Sequence, residues 1–328
     1  MRYSFLVVLQ EASMQLKGDV VSEISKLKLE RNAIILAHNY QRPEIQDIAD
    51  FVGDSLALAR RGAETNAEVI IFCGVHFMAE TSSILSPEKK ILIPDLNAGC
   101  SLADTITAEE LRRWKKRHPG VVVVSYVNTT ADVKAESDYC CTSTNAVKIV
   151  NSIPANKEVL LVPDIYLGAY VEKMTGRRMH LWPGQCHVHA KLTPEAITGL
   201  REERPNAEFL IHPECGCITN AMYYLGEGKI SGKGTHILST DGMLKCARES
   251  TSNEFIVATE TGILHQLTKQ NPGKQFFPAK DDAVCEYMKM ITLEKVHYSL
   301  RDMIHEVKVP TAIAGKARLA LERMVSVN

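Results

Sequence analysis

Three stretches of this chain run through the same order of elements, and that repetition restricts its fold more than any other feature. Apolar runs alternate with helical patterns. Residues 33–37, 68–72 and 90–94 read as strands of a first set. Residues 121–124, 158–162 and 178–181 form a second, and 208–211, 254–258 and 275–277 a third. The runs are continuous rather than alternating, as strands buried on both faces should be. Strands alternating with helices predict α/β units with parallel sheets. In the first set, Pro43 starts a helix expected to run through Ile45, Ile48, Ala49 and Val52 to Leu58. Helices with a Thr start and early acids, at Thr107 and Thr193, introduce the later sets.

Polar residues keep the same register. The first strand of each set leads into a pair spaced i, i+2: His38 and Tyr40, Tyr126 and Asn128, His212 and Glu214. On a strand such a pair shares a face. A hydroxyl residue follows, Ser55, Ser143 and Thr240, at 17, 17 and 28 residues from the first member of each pair. Each set closes on a cysteine, Cys100, Cys186 and Cys285, a further 45, 43 and 45 residues on. Eleven extra residues therefore fall between Glu214 and Thr240, where the glycine-rich 226–234 reads as a loop. The pattern predicts a three-layer α/β/α fold repeated three times around a pseudo-threefold axis. The expected units are 20–105, 106–190 and 191–328 with the C-terminal helices, after an extension at 1–19.

Parallel sheets bind ligands beyond the carboxyl ends of their strands, where all these residues are expected. Three sheets around one axis would aim them at one central interface. Ser55, Ser143 and Thr240 each stand where a helix N-cap could stand, and helix N-termini hold carboxylates and phosphates. Three thiols, one per repeat and without a local C-x-x-C, exclude a zinc ribbon or a ferredoxin-like run. They can hold a [4Fe–4S] cluster with one iron free to act as a Lewis acid. Each residue also has a plainer reading: a simple helix cap, a core cysteine, a hydrogen-bonded core histidine.

The other cysteines read more plainly. Cys73 belongs to an apolar strand, Cys140 and Cys141 to a strand end, and Cys246 to a helix. Cys215 and Cys217, flanking Gly216, are open to metal binding or to a redox pair. Cys186, His187 and His189 also admit a zinc reading. Glu214 is the one carboxylate among the three polar pairs, and burial among anions is expected to raise its pKa. Nine cysteines at irregular spacing, without a secretion signal, argue against a disulfide framework. Lys and Arg total 38 against 39 Asp and Glu, which excludes a strongly basic nucleic-acid or polybasic membrane binder. No apolar run approaches the roughly 18–20 residues of a membrane span, so a cytoplasmic protein is expected.

The motifs resemble one family, the iron–sulfur quinolinate synthases of NAD biosynthesis. They are 35–41 (ILAHNYQ), 47–55 (DIADFVGDS), 74–80 (GVHFMAE), 126–128 (YVN) and 141–146 (CTSTNA). Further on come 184–189 (GQCHVH), 212–215 (HPEC) and 282–288 (DAVCEYM). They span from about residue 20 to the C-terminus. The resemblance implies an enzyme that condenses iminoaspartate with dihydroxyacetone phosphate to give quinolinate, phosphate and water. It implies a [4Fe–4S] cluster on Cys100, Cys186 and Cys285. It places His38, Ser55, Tyr126, Asn128, Ser143, His212, Glu214 and Thr240 around the substrates, with Tyr40, His212 and Glu214 as catalytic candidates. A functional link to the enzyme supplying iminoaspartate is expected; nucleic-acid and membrane partners are not. Two alternatives stand: a [4Fe–4S] hydro-lyase acting on another small dicarboxylate, and a non-enzymatic iron–sulfur sensor.

Overall fold

A computed structural model of the chain describes residues 18–217 and 234–327. The apolar runs become the buried middle strands of three four-stranded sheets. The first sheet contains β1 (Ala33–His38), β2 (Phe51–Gly53), β3 (Val69–Cys73) and β4 (Lys90–Leu92). The second contains β5 (Val122–Tyr126), β6 (Tyr139–Cys141), β7 (Val159–Val162) and β8 (His180–Leu181). The third contains β9 (Glu208–Ile211), β10 (Thr235–Ile237), β11 (Glu254–Ala258) and β12 (Gln275–Pro278). Each has the same order, second-first-third-fourth strand, and every pairing between these strands is parallel. The first and third strands of each set are almost wholly buried, with both faces covered, which is why their sequences do not alternate.

Two expectations are corrected. The helix beginning at Pro43 stops at Ile48, and a new one starts at Ser55. Between them Phe51–Gly53 pairs with β1 as an edge strand. Asp50 holds this turn: its carboxylate accepts from the Ile35 N–H at 2.7 Å while its own N–H donates to the Ile35 carbonyl. Asp138 does the same at Val123 in the second set. Each repeat thus has a fourth strand, β2, β6 or β10, that the sequence reading did not anticipate. The eleven-residue insertion falls almost entirely in 218–233, outside the described residues, as does most of the N-terminal extension.

The helical starts follow from local chemistry. Thr107 and Glu110 form a reciprocal capping box at helix Ala108–Arg117. Thr193 makes no side-chain cap bond; Pro194 at the first helical position supplies the start instead. The last helix, Thr311–Ser326, buries Ala317, Ala320, Leu321 and Met324, one face at helical spacing. It packs on β6 and on helices His76–Leu85 and Ala131–Lys134, so it joins the first and second sheets. Just before it, Val307 donates to the Ile91 carbonyl and Ile93 to that of His305, extending the first sheet's edge. Among the described residues no helix is long and apolar enough to cross a membrane.

Candidate active site

The carboxyl ends of the three sheets converge on one cavity of about 700 Å³, counting its open mouth. All three polar pairs, all three hydroxyl residues and all three repeat-matched cysteines line it. The first members of the pairs close or directly follow their strands, and the second members lie in the turns beyond. Ser55 and Thr240 are not N-caps, as the sequence reading expected. They are the first residues of their helices, and Asp54 and Ser239 do the capping. Ser55 and Thr240 both line the cavity, at the N-terminal starts of two helices. Ser143 stands in the turn before helix Ala146–Ser152, its Oγ 3.2 Å from His212 Nε2.

These helix starts are laced together across repeats. Asn39 donates to Thr240 Oγ1 at 2.9 Å and to Asp241 Oδ1 at 2.8 Å. The Asp54 N–H donates to the same Asp241 oxygen, and Thr144 Oγ1 donates to Asp54 Oδ2 at 2.7 Å. Burial, and then the Asp54 carboxylate, push the Asp241 carboxyl up to about 7.

Glu214 corrects the expectation of a raised pKa. Burial does oppose its charge, but His189 outweighs it, helped by His212 and a hydrogen bond from Tyr126, and the carboxyl sits near about 2. Glu214 Oε2 lies 2.9 Å from His189 Nδ1 and 3.6 Å from His212 Nδ1. Burial would lower His189, but Cys186 and Glu214 raise it well above an ordinary imidazole. His38 and His212 go the other way, to about 3 and about 4, chiefly through burial. They are neutral imidazoles, able to donate and accept. Burial, and then the Glu214 charge, keep the Tyr40 phenol protonated far above its usual range. Its oxygen is 2.5 Å from Thr259 Oγ1 and 3.4 Å from His189 Nε2. In protonation state it suits a proton donor better than a base.

Cys100, Cys186 and Cys285 are free thiols and none is fully buried as a residue. Burial raises the Cys100 thiol, with the other two sulfurs adding to the effect, and pushes Cys285 up to about 12. Cys100 and Cys285, whose ionisation burial and the neighbouring sulfurs oppose, need a cationic group if they are to be thiolates. Among the described residues, the donor groups compact enough for one ion do not include this trio. Cys186 groups instead with His189 and Glu214, whose donor atoms lie within 4.8 Å of one another. A short 3₁₀ turn starts three residues after each cysteine, at Ala103, His189 and Met288. Backbone N–H groups of Leu102 and Ala103 reach the Cys100 sulfur, and those of Tyr287 and Met288 reach Cys285. Such donors orient and stabilise metal-bound thiolates.

Sequence reasoning missed Glu260, and it read His189 only as a candidate zinc ligand beside Cys186 and His187. His189 is buried against Tyr40, Glu214 and Thr259; its position three residues after Cys186, on the 3₁₀ turn, was the available signal. Buried Glu260 accepts from the Cys285 and Gly262 N–H groups and pairs with Lys289 at 2.9 Å. Lys289 also donates to the Tyr40 carbonyl. A Cβ on Gly262 would stand 2.6 Å from that carbonyl oxygen, so a glycine is needed there. Cys73, Cys140 and Cys141 are buried core thiols, and Cys215 is disulfide-bonded to Cys217.

Comparison with known proteins agrees with this geometry. A family model described as NadA, quinolinate synthetase A protein, matches residues 22–326. A quinolinate synthase of Thermus thermophilus is 56% identical over 315 residues, covering 96% of this chain and 99% of the relative. One from Pyrobaculum aerophilum is 54% identical over 302 residues, covering 92% and 97%. One from Mycobacterium tuberculosis is 52% identical over 308 residues, covering 94% and 88%. The chain belongs to the quinolinate synthetase A protein family.

Proposed function

We propose that the chain is a quinolinate synthase that condenses iminoaspartate with dihydroxyacetone phosphate, releasing phosphate and water. The observation that carries this reading is the cavity itself, which takes one polar pair, one hydroxyl and one thiol from each repeat. The proposed units are 20–105, 106–190 and 191–328, each contributing one strand-end cluster to the shared site. The setting is the cytoplasm, where free thiols persist, and a link to the enzyme that supplies iminoaspartate follows from that substrate's chemistry.

The roles follow from charge and position. The substrates bring two carboxylates and a phosphate. Ser55 and Thr240, at helix starts, and Ser143 are placed to bind those groups. Asn128, Tyr126 and the neutral His38 and His212 orient the carbon skeleton by hydrogen bonds. Tyr40, His212 and Glu214 are the groups for the proton transfers that C–C bond formation, ring closure and dehydration require. Cys100, Cys186 and Cys285 would hold the [4Fe–4S] cluster. When bound, it supplies an open iron that acts as a Lewis acid toward a substrate oxygen or nitrogen.

The test is anaerobic reconstitution of the wild type and of nine single Cys→Ser variants. Cluster absorbance and quinolinate formation from the two substrates should disappear in Cys100→Ser, Cys186→Ser and Cys285→Ser alone. A cluster that survives in Cys285→Ser but not in Cys215→Ser or Cys217→Ser would overturn the ligand assignment. A loaded cluster without turnover of dihydroxyacetone phosphate would overturn the substrate assignment.

A further inference from the structure

We infer that Glu208, His236 and Cys246 form a second metal site, for a zinc-class divalent cation, at the edge of the third sheet away from the cavity. Glu208 opens β9, His236 lies on the neighbouring β10, and Cys246 approaches from helix Thr240–Glu249. A carboxylate oxygen, an imidazole nitrogen and the thiol sulfur all lie within 4.8 Å of one another. All three residues are half-buried. Carboxylate, imidazole and thiolate are the three zinc-ligating side-chain types, and a fourth position is left for water.

The geometry of the pair argues for an ion rather than for an ordinary salt bridge. Glu208 Oε2 and His236 Nε2 are 3.3 Å apart, yet among the described residues both are buried atoms without a hydrogen-bond partner. Their mutual orientation does not let one donate to the other. Two ligands each about 2.0–2.1 Å from one zinc, at the tetrahedral angle, stand about 3.3–3.4 Å apart. The second Glu208 oxygen accepts from Ser250 Oγ at 2.8 Å. Such an outer bond fixes a metal-binding carboxylate and leaves the other oxygen for the ion. Glu208 lies at the amino end of β9, four residues before His212, or about 13 Å along an extended chain. The site is therefore separate from the cavity. It ties two strands to the helix whose first residue, Thr240, lines that cavity.

The test uses the full chain with its cluster loaded. Wild type, Cys246→Ser, His236→Ala and Glu208→Gln are each incubated with one equivalent of zinc chloride, desalted and assayed for zinc, iron and sulfide. Wild type should retain about one zinc per chain. The variants should bind zinc more weakly by more than the about 10–100-fold typical of losing an outer partner, with iron and sulfide unchanged. Zinc should raise the thermal midpoint of wild type but not of Cys246→Ser. Cobalt should give a sulfur-to-metal charge-transfer band that Cys246→Ser lacks. Iron and sulfide contents and midpoints without zinc show whether a variant has folded. Equal zinc retention by wild type and Cys246→Ser, or no retention by wild type, overturns the site. So does zinc that is lost only with Cys100, Cys186 or Cys285.

Discussion

At Asp241 two carboxylates from different repeats meet in a poorly solvated place. Between about pH 4 and pH 7 the folded chain holds a proton here that the unfolded chain has already lost. Stability therefore falls as pH rises through that window, and the penalty is complete above it. Asp241→Asn keeps an oxygen for Asn39 and for the Asp54 N–H and has no charge to bury. It should raise stability by about 1–2 kcal/mol near pH 8 and leave it unchanged near pH 4; the full shift would give more, but partial exposure and sharing with Asp54 reduce it. Denaturant midpoints at the two pH values read the difference, and an equal gain at both would reassign the effect to packing. Glu214 is the opposite case, a carboxylate held ionised by its neighbours. Glu214→Gln removes that charge while keeping the shape. With the cluster intact, turnover should fall about 10²–10⁴-fold, the usual scale for a lost proton-handling group. Near-normal turnover would leave proton transfer to Tyr40 and His212.

The helix Thr311–Ser326 is the element whose packing reaches furthest, because it rests on the first and second sheets at once. Leu321 at its centre is fully buried. Leu321→Ala should cost about 2–5 kcal/mol through lost burial and the cavity left behind, measured by chemical denaturation with cluster content checked. A cost below about 1 kcal/mol would mean the helix is loosely seated. Elements of this kind were legible to different degrees. The long buried strands were readable because six continuous apolar runs have few other uses. The second strands, β2, β6 and β10, were not, because three residues carry no period and Gly53, Cys140 and His236 are mixed strand formers. The run Ile45, Ile48, Ala49, Val52 imitated a helix, and the β1 hydrogen bonds won at its far end. Asp50 and Asp138, in matched positions, were the overlooked sign of that turn. The cavity residues were readable by register, and His189 by its closeness to Cys186, whereas Glu260 depends on how the repeats meet, which no local pattern encodes.

Viewed as a whole, the molecule sets three similar sheets around a cavity floored by polar groups that repel or compete. The largest buried apolar cluster runs through all three sheets, and the second and third sheets each add a smaller cluster of their own. Polar contacts near the cavity also tie the third repeat to the first, such as Asn39 to Thr240 and Asp241, and Lys289 to the Tyr40 carbonyl. Cys100, Cys186 and Cys285 come from three different repeats, so one group bound by all three closes the ring. Ligand binding to the folded state alone adds directly to stability, by about 1.4 kcal/mol per tenfold in affinity. Stripping the cluster anaerobically should therefore lower the unfolding temperature by several degrees and loosen all three sheets. Scanning calorimetry reads the first effect, and amide exchange along β1, β5 and β9, the first strand of each sheet, reads the second. Cys285→Ser, which cannot complete the ring, should unfold with the stripped wild type. If loaded and stripped proteins unfold at the same temperature with the same exchange pattern, the three repeats are already locked by protein contacts, and the cysteines serve chemistry alone.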